Sequence, residues 1–313
     1  MAGPGAGAAG AFTDSDSPYV GGPDPHPPDM WAGLRSVWPD LAWDRVQFRR
    51  GAFHHVAVLG EDAVIRVVYG PRHLRTTVRE AENLTAFASA GLPFRIPAEL
   101  RAPFHGDGWS AQMNSFVPGE HRPFERWEAV RGALAAVVAA MTNIITVSGG
   151  GLRPVREWCG ADEWPAVVAG ITASLLPPEA RAAGRIVADV LAAEEWVAPA
   201  VVHGDLGLHN VLWSGTEISG LVDFDNACVG DPAMDLAPLV GAFGAAAVAD
   251  IADAELVARA QLHRASLSLQ VAAAAELAGD GYLRDFALDN FSDRFRSGTL
   301  YDPGPRRTGS RNG

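Results

Sequence analysis

At 313 residues, with 48% hydrophobic and 20% charged side chains, the chain is long enough to build two lobes around separate cores. Its 25 basic residues, all of them arginine, stand against 37 acidic ones for a net charge of −12. That balance argues against a nucleic-acid footprint and suits a cationic ligand drawn to an acidic cleft.

Residues 1–28 are Gly, Ala, Pro, Ser and Asp with little to bury, and 303–313 are Arg/Gly/Ser-rich; both read as disordered tails. Residues 31–38 suit a short helix. Strand-like runs follow at 46–50, 53–59 and 63–69, the last two flanking the turn residues Gly60-Glu61-Asp62 as a hairpin. A helix is expected over 72–90, stopped by Gly91 and Pro93, and a strand over 110–117, stopped by Pro118-Gly119. These elements describe a small antiparallel lobe over 29–118.

From 119 to 302 the pattern turns helical, with apolar residues at helical spacing over 127–145, 178–195 and 255–277. One β-rich island, 201–224, interrupts the helices. Cys159 and Cys228 are the only cysteines and lack Cys-x-x-Cys spacing, which argues against a disulfide framework or a zinc site. No basic-then-apolar leader and no uncharged stretch of membrane-spanning length is present, so a cytoplasmic protein is expected.

The chemistry concentrates on the island. His203-Gly204-Asp205-Leu206-Gly207-Leu208-His209-Asn210 is a loop between apolar runs that presents a carboxylate at Asp205 and a carboxamide at Asn210. Asp223-Phe224-Asp225 ends the next strand-like run. Phosphoryl transfer needs this set: a carboxylate to take the proton of an attacking hydroxyl, and oxygen donors for magnesium. A hydrolytic metal site built on His203, Asp205 and His209 would lack further ligands.

The segment resembles the catalytic loop of the aminoglycoside phosphotransferase superfamily, whose fold is similar to that of protein kinases. The resemblance implies an α+β bilobal fold, with an antiparallel sheet and helix in the small lobe and a mainly helical large lobe. It implies Asp205 as base, Asn210 and Asp223 as Mg²⁺ ligands, His203 as a brace of the loop and Asp225 as a supporting carboxylate. Gly230-Asp231-Pro232-Ala233-Met234-Asp235 matches the family's next helix start, with Asp231 and Asp235 as caps or braces.

In the small lobe, Val64-Ile65-Arg66-Val67 resembles the strand whose basic residue holds the nucleotide phosphates. Arg79-Glu80-Ala81-Glu82 resembles the helix start whose Glu pairs with that residue. Backbone access to phosphate rests on Gly51 alone, since the turn before His54 and His55 has no further glycine; those histidines read as core or surface residues. Asn114, Ser115 and Phe116 fall at the hinge, where backbone groups would meet the base of ATP or GTP.

The superfamily resemblance covers about 40–295, and within it the segments 51–56, 91–97 and 202–207 with Leu269-Gln270 look like the viomycin and capreomycin phosphotransferases, with capuramycin and aminoglycoside phosphotransferases as competitors. The resemblance thus implies inactivation of a small-molecule antibiotic by phosphorylation of a hydroxyl. A cationic peptide acceptor is expected, with Asp285 and Asp289 on one helical face as acceptor-binding candidates. A housekeeping metabolite kinase and a nucleotide-binding pseudokinase are the alternatives. A protein kinase is disfavoured because Gly230-Asp231-Pro232 leaves no room for an activation segment.

Overall fold

The computed structural model describes residues 29–122, 125–144 and 152–304. The predicted tails lie outside the described residues, except for the first two positions of the second. A five-stranded antiparallel sheet in the order β1-β2-β3-β5-β4 forms the small lobe: β1 is Val46–Arg50, β2 His54–Leu59, β3 Ala63–Tyr69, β4 Glu99–His105 and β5 Trp109–Ser115. β2 and β3 alternate between buried and half-buried positions, and their inward residues Ala57, Leu59, Ile65 and Val67 meet Met113 of β5. Helix α1, Asp29–Val37, closes that core with Met30 and Leu34.

β4 is a strand the sequence did not announce, because Pro103 interrupts it. Proline is tolerated there because β4 is an edge strand and its pairing with β5 shifts register between Arg101 and Phe104. Helix α2, His73–Phe87, packs beside β4 and β5. Its far end leaves the small lobe: Leu84 and Phe87 join the large-lobe core, where the Phe87 ring lies 4.7 Å from that of Phe224.

The large lobe contains α3 (Trp127–Thr142), α4 (Trp164–Thr172), α5 (Pro177–Glu194), α6 (Ala233–Phe243), α7 (Ala245–Val248), α8 (Ala254–Ala278) and α9 (Gly281–Arg296). Between α5 and α6 sit four short strands: β7 (Ala200–Val202), β8 (Val211–Ser214), β9 (Glu217–Leu221) and β10 (Cys228–Gly230). β10 pairs with β7, and β8 pairs with β9 and with the two-residue β6, Glu120–His121. The expected helices at 178–195 and 255–277 thus correspond to α5 and α8, and the end of 127–145 lies outside the described residues. Cys159 and Cys228 are buried free thiols. No helix among the described residues is long and apolar enough to cross a membrane.

Two hydrogen-bonded seams hold the lobes in register. Asn83 of α2 is fully buried; its Nδ2 donates to Phe224 O at 2.9 Å and Ala227 O at 3.1 Å, and its Oδ1 accepts from the Arg153 N–H at 3.2 Å. Across the hinge, Arg95 N–H donates to Ser219 O and Leu221 N–H to Arg95 O. A Cβ at Gly220 would lie 2.8 Å from Arg95 O, so that second seam needs a residue without a side chain.

Candidate active site

Between the lobes lies a cleft of about 930 Å³. The loop from His203 to Asn210 forms part of its floor, and its shape follows from local bonds. Gly204 has φ of +82°, and a Cβ there would meet Asn226 O at 2.3 Å. Both backbone N–H groups that open the loop point at one carboxylate: His203 N–H to Asp235 Oδ2 at 3.0 Å and Gly204 N–H to Asp235 Oδ1 at 2.7 Å. Burial pushes the Asp235 carboxyl up to about 7 against the pull of those two donors. Asp231 caps α6 through Ala233 N–H at 3.0 Å and pairs with Arg259 and His263. Both aspartates occupy the bracing positions expected of them.

His203 is completely buried, and burial holds its imidazole below the usual range. Its Nδ1 accepts the Asp205 N–H at 3.3 Å, which fixes Nε2 as the donor to Val222 O at 3.0 Å. One neutral ring therefore ties the Asp205 loop to the residue before Asp223. The ring also stacks 4.6 Å from Phe224.

The Asp205 carboxylate retains 30% exposure toward the cleft. Asn210 Nδ2 donates to Asp205 O at 2.8 Å and to Oδ2 at 3.2 Å, and His209 Nε2 also bonds Oδ2 at 3.2 Å. Burial pushes the carboxyl up, but the charge and hydrogen bond of His209, with His203 and Asn210, hold it below the ordinary value. His209 entered the sequence reading only as a ligand of the disfavoured metal site, because nothing in the spacing tells which loop residue turns back on Asp205.

Asp223 sits in the left-handed region, φ 66°, with a half-exposed side chain. Burial and the neighbouring Asp225 push its carboxyl well above the usual value, against the pull of Arg66. Asp225 goes the other way: burial is outweighed by Arg66, which holds it well below the carboxylate range. Arg66 grips Asp225 with both terminal nitrogens, one at 2.6 Å, and reaches Asp223 at 3.1 Å.

Three small-lobe expectations need correction. Arg66 and Glu80 do not form a direct pair: Arg66 donates to His54 Nδ1 at 3.2 Å, and His54 Nε2 donates to Glu80 Oε1 at 3.0 Å. Glu80 lies at the middle of α2, not at its start, and His54 stands between the two charges. His54 and His55 are both buried, as the core reading has it; His54 also bridges the two charges, whereas His55 lies against Tyr69. Gly51 lines the cleft, but its N–H already closes the β1–β2 turn on His54 O at 2.9 Å, so it is not free to meet phosphate.

Asn114, Ser115 and Phe116 line the cleft where β5 leaves the sheet. Asp285 and Asp289 do not line it. They share one face of α9, as their spacing requires, but the opposite face, with Leu283, Ala287, Leu288 and Phe291, packs inward and turns the two carboxylates to solvent. Asp285 there pairs with its neighbour Arg284 at 2.8 Å. Only the start of α9 reaches the cleft, through residues such as Tyr282.

A family model described as "Phosphotransferase enzyme family" matches residues 46–269. The chain is 30% identical over 258 residues to viomycin phosphotransferase of Streptomyces vinaceus, covering 74% of this chain and 86% of that protein. Among solved structures it is similar to the GDP complex of wild-type aminoglycoside 2'-phosphotransferase-IIIa, with a TM-score of 0.64 and 15% identity over 86% of this chain and 98% of that one. It is also similar to a macrolide 2'-phosphotransferase apoenzyme from Brachybacterium faecium, with a TM-score of 0.58 and 19% identity over 84% and 98% of the two chains.

Proposed function

Since the chain belongs to the phosphotransferase enzyme family, we propose that it moves the γ-phosphoryl of ATP or GTP onto a hydroxyl of a small-molecule antibiotic and thereby inactivates it. The observation that carries the reading is the convergence of Asp205, Asn210, Asp223 and Arg66 on one cleft, held there by the His203 and Asp235 braces.

Asp205 is the base. Its carboxylate is exposed to the cleft and kept ionised, so it can accept the proton of the attacking hydroxyl as the oxygen bonds to phosphorus and the nucleoside diphosphate leaves. Asn210 spends its Nδ2 on Asp205, which leaves its carboxamide oxygen for a cation. Asp223 offers a carboxylate beside it. These are hard oxygen donors of the kind Mg²⁺ prefers, and the ion, when bound, neutralises charge on the phosphates. Arg66 faces the same region as the cation for phosphate oxygens, with Asp225 and His54 fixing its guanidinium. Asn114 to Phe116 would meet the nucleobase.

The kinship with viomycin phosphotransferase supports a cyclic-peptide antibiotic as the first acceptor class to assay. The charge argument for a cationic acceptor loses its support, because Asp285 and Asp289 face away from the cleft. The test is a panel of cyclic-peptide, nucleoside and aminoglycoside antibiotics, each with ATP and with GTP and Mg²⁺, followed by mass spectrometry. A phosphorylated antibiotic is expected. Nucleotide binding without transfer to any hydroxyl would leave the protein a nucleotide-binding module.

A further inference from the structure

The cleft carries a second charged cluster that the transfer chemistry does not use. The first half of α2 and the residue ahead of it present Arg72, Arg75 and Arg79, all lining the cleft. Arg153 joins them from the segment before the 157–159 turn. Their shared counter-ion is Glu157. Arg75 Nε donates to its Oε1 at 2.8 Å, Arg79 Nε lies 3.6 Å and Arg153 Nε 3.8 Å from its Oε2, and Arg72 reaches only its backbone oxygen at 3.5 Å. Arg79 also pairs with Glu82 at 2.7 Å. Four cations thus face two carboxylates, and Arg72 forms no ion pair with a carboxylate among the described residues.

This excess is partly shut away from water. Arg153 is only 5% exposed, and its Nε and the Glu157 Oε2 that faces it at 3.8 Å are both buried without a hydrogen bond. An unpaired buried donor on a cation is costly unless a ligand meets it. Burial and the charge of Arg75, with that of Arg153, hold the Arg72 guanidinium below its usual pKa against the pull of Glu157. Beside the cluster, Phe53 from the β1–β2 turn meets Trp158 edge-on at 6.3 Å, an aromatic wall. Arg75 lies five residues before Glu80 on α2, about 7 Å along the helix axis from the Arg66 network.

We propose that Arg72, Arg75, Arg79 and Arg153 form an anion-binding subsite for the acceptor, so that the molecule phosphorylated carries a carboxylate or another acid group besides its hydroxyl. This rests on the reading of the cleft as a phosphotransferase site. On that reading the nucleotide is served elsewhere, its phosphates by Arg66 and its Mg²⁺ by Asn210 and Asp223, so the cluster is left over for another ligand. Planar guanidiniums suit a two-oxygen acid group, and the start of α2 adds its positive helix end. The acidity of the whole chain is therefore a property of its outer surface, not of this part of the cleft.

Sulfate tests the subsite directly. The full chain is saturated with Mg²⁺ and a non-hydrolysable ATP or GTP analogue, then titrated with sulfate at constant ionic strength by calorimetry. Saturable binding is expected alongside the nucleotide analogue, weaker by about 10-fold in Arg72→Gln, the scale of one charged hydrogen bond. Arg72 pairs with no carboxylate among the described residues, so its loss strands none of them, and circular dichroism checks the fold. Sulfate that is fully displaced by the analogue assigns the cluster to the triphosphate and overturns the proposal, as does unchanged affinity in Arg72→Gln or absence of saturable binding.

The second arm uses any acceptor found, as a carboxylic acid and as its amide. The acid form should show the lower KM, and Arg72→Gln should raise that KM alone, with the nucleotide KM as control. Equal KM values would sink the subsite and leave the phosphotransferase standing. If no hydroxyl is phosphorylated, the enzymatic reading fails, and the sulfate titration still judges the cluster.

Discussion

Arg66 and Glu80 are joined only through His54, whose Nδ1 accepts from the arginine at 3.2 Å and whose Nε2 donates to the glutamate at 3.0 Å. Because Arg66 can only donate, the imidazole must be the neutral Nε2–H tautomer for both bonds to exist. The ring is thus a relay, which aims the guanidinium at Asp223 and Asp225 while Glu80, 2% exposed, keeps a partner. His54→Ala should cost about 2 kcal/mol of stability, the scale of a buried acceptor left unmet, and should raise the KM for nucleotide. Glu80→Gln should cost less in the His54→Ala background than alone. Additive effects in that double-mutant cycle would show that the ring does not couple the two charges.

Asp205→Asn should lower turnover about 100-fold or more while nucleotide affinity stays near wild type, because only the proton acceptor is lost. The pH dependence gives a second reading. His209 is the strongest influence pulling the Asp205 carboxyl down against burial. His209→Ala should therefore shift the acid limb of the kcat/KM profile to higher pH. A limb that stays in place would mean that Asp205 is not the group titrating there.

The active-site order was legible in the sequence, and so were most elements around it. His-Gly-Asp with Asn five residues after Asp205, and Asp-Phe-Asp at the end of a strand-like run, are chemistry written in consecutive residues, and the loop delivers them to one cleft. What was illegible depends on distant contacts. Nothing local says that His54 of β2 inserts between β3 and α2, or that Asn83 bonds the Phe224 carbonyl 141 residues away. The spacing of Asp285 and Asp289 established their common face, but which face of α9 meets α8 is decided by Leu283, Ala287 and Phe291. β4 was hidden because an edge strand with a register shift tolerates a proline that a central strand would reject.

Mg²⁺ dependence separates Asp223 from Asn210. Asp223 brings a carboxyl whose raised value a bound cation would pull down to the charged form, and Asn210 brings a neutral oxygen. Asp223→Ala should abolish Mg²⁺-dependent nucleotide affinity, and Asn210→Ala should weaken it less. Isothermal titration of nucleotide with and without Mg²⁺ measures both. Equal losses in the two variants, or activity that survives a chelator, would contradict the assignment.

Asp235 makes stability depend on pH in a direction opposite to that of most carboxylates. Its folded value, raised by burial to about 7, lies above the ordinary 3.8 of the unfolded chain. Between those values the folded state holds a proton that the unfolded state has released. Stability from this group is therefore fully present below about pH 4 and is lost as the pH rises through 7, by up to about 4 kcal/mol. The two backbone donors from His203 and Gly204 are what make the burial tolerable at all. Asp235→Asn cannot titrate and offers one acceptor to two donors, so it should be the less stable protein at pH 5. The gap should then narrow toward pH 8, because only the wild type pays for ionisation. Urea melts of both proteins across that range measure it, and parallel stability curves would show that Asp235 keeps an ordinary pKa despite its burial.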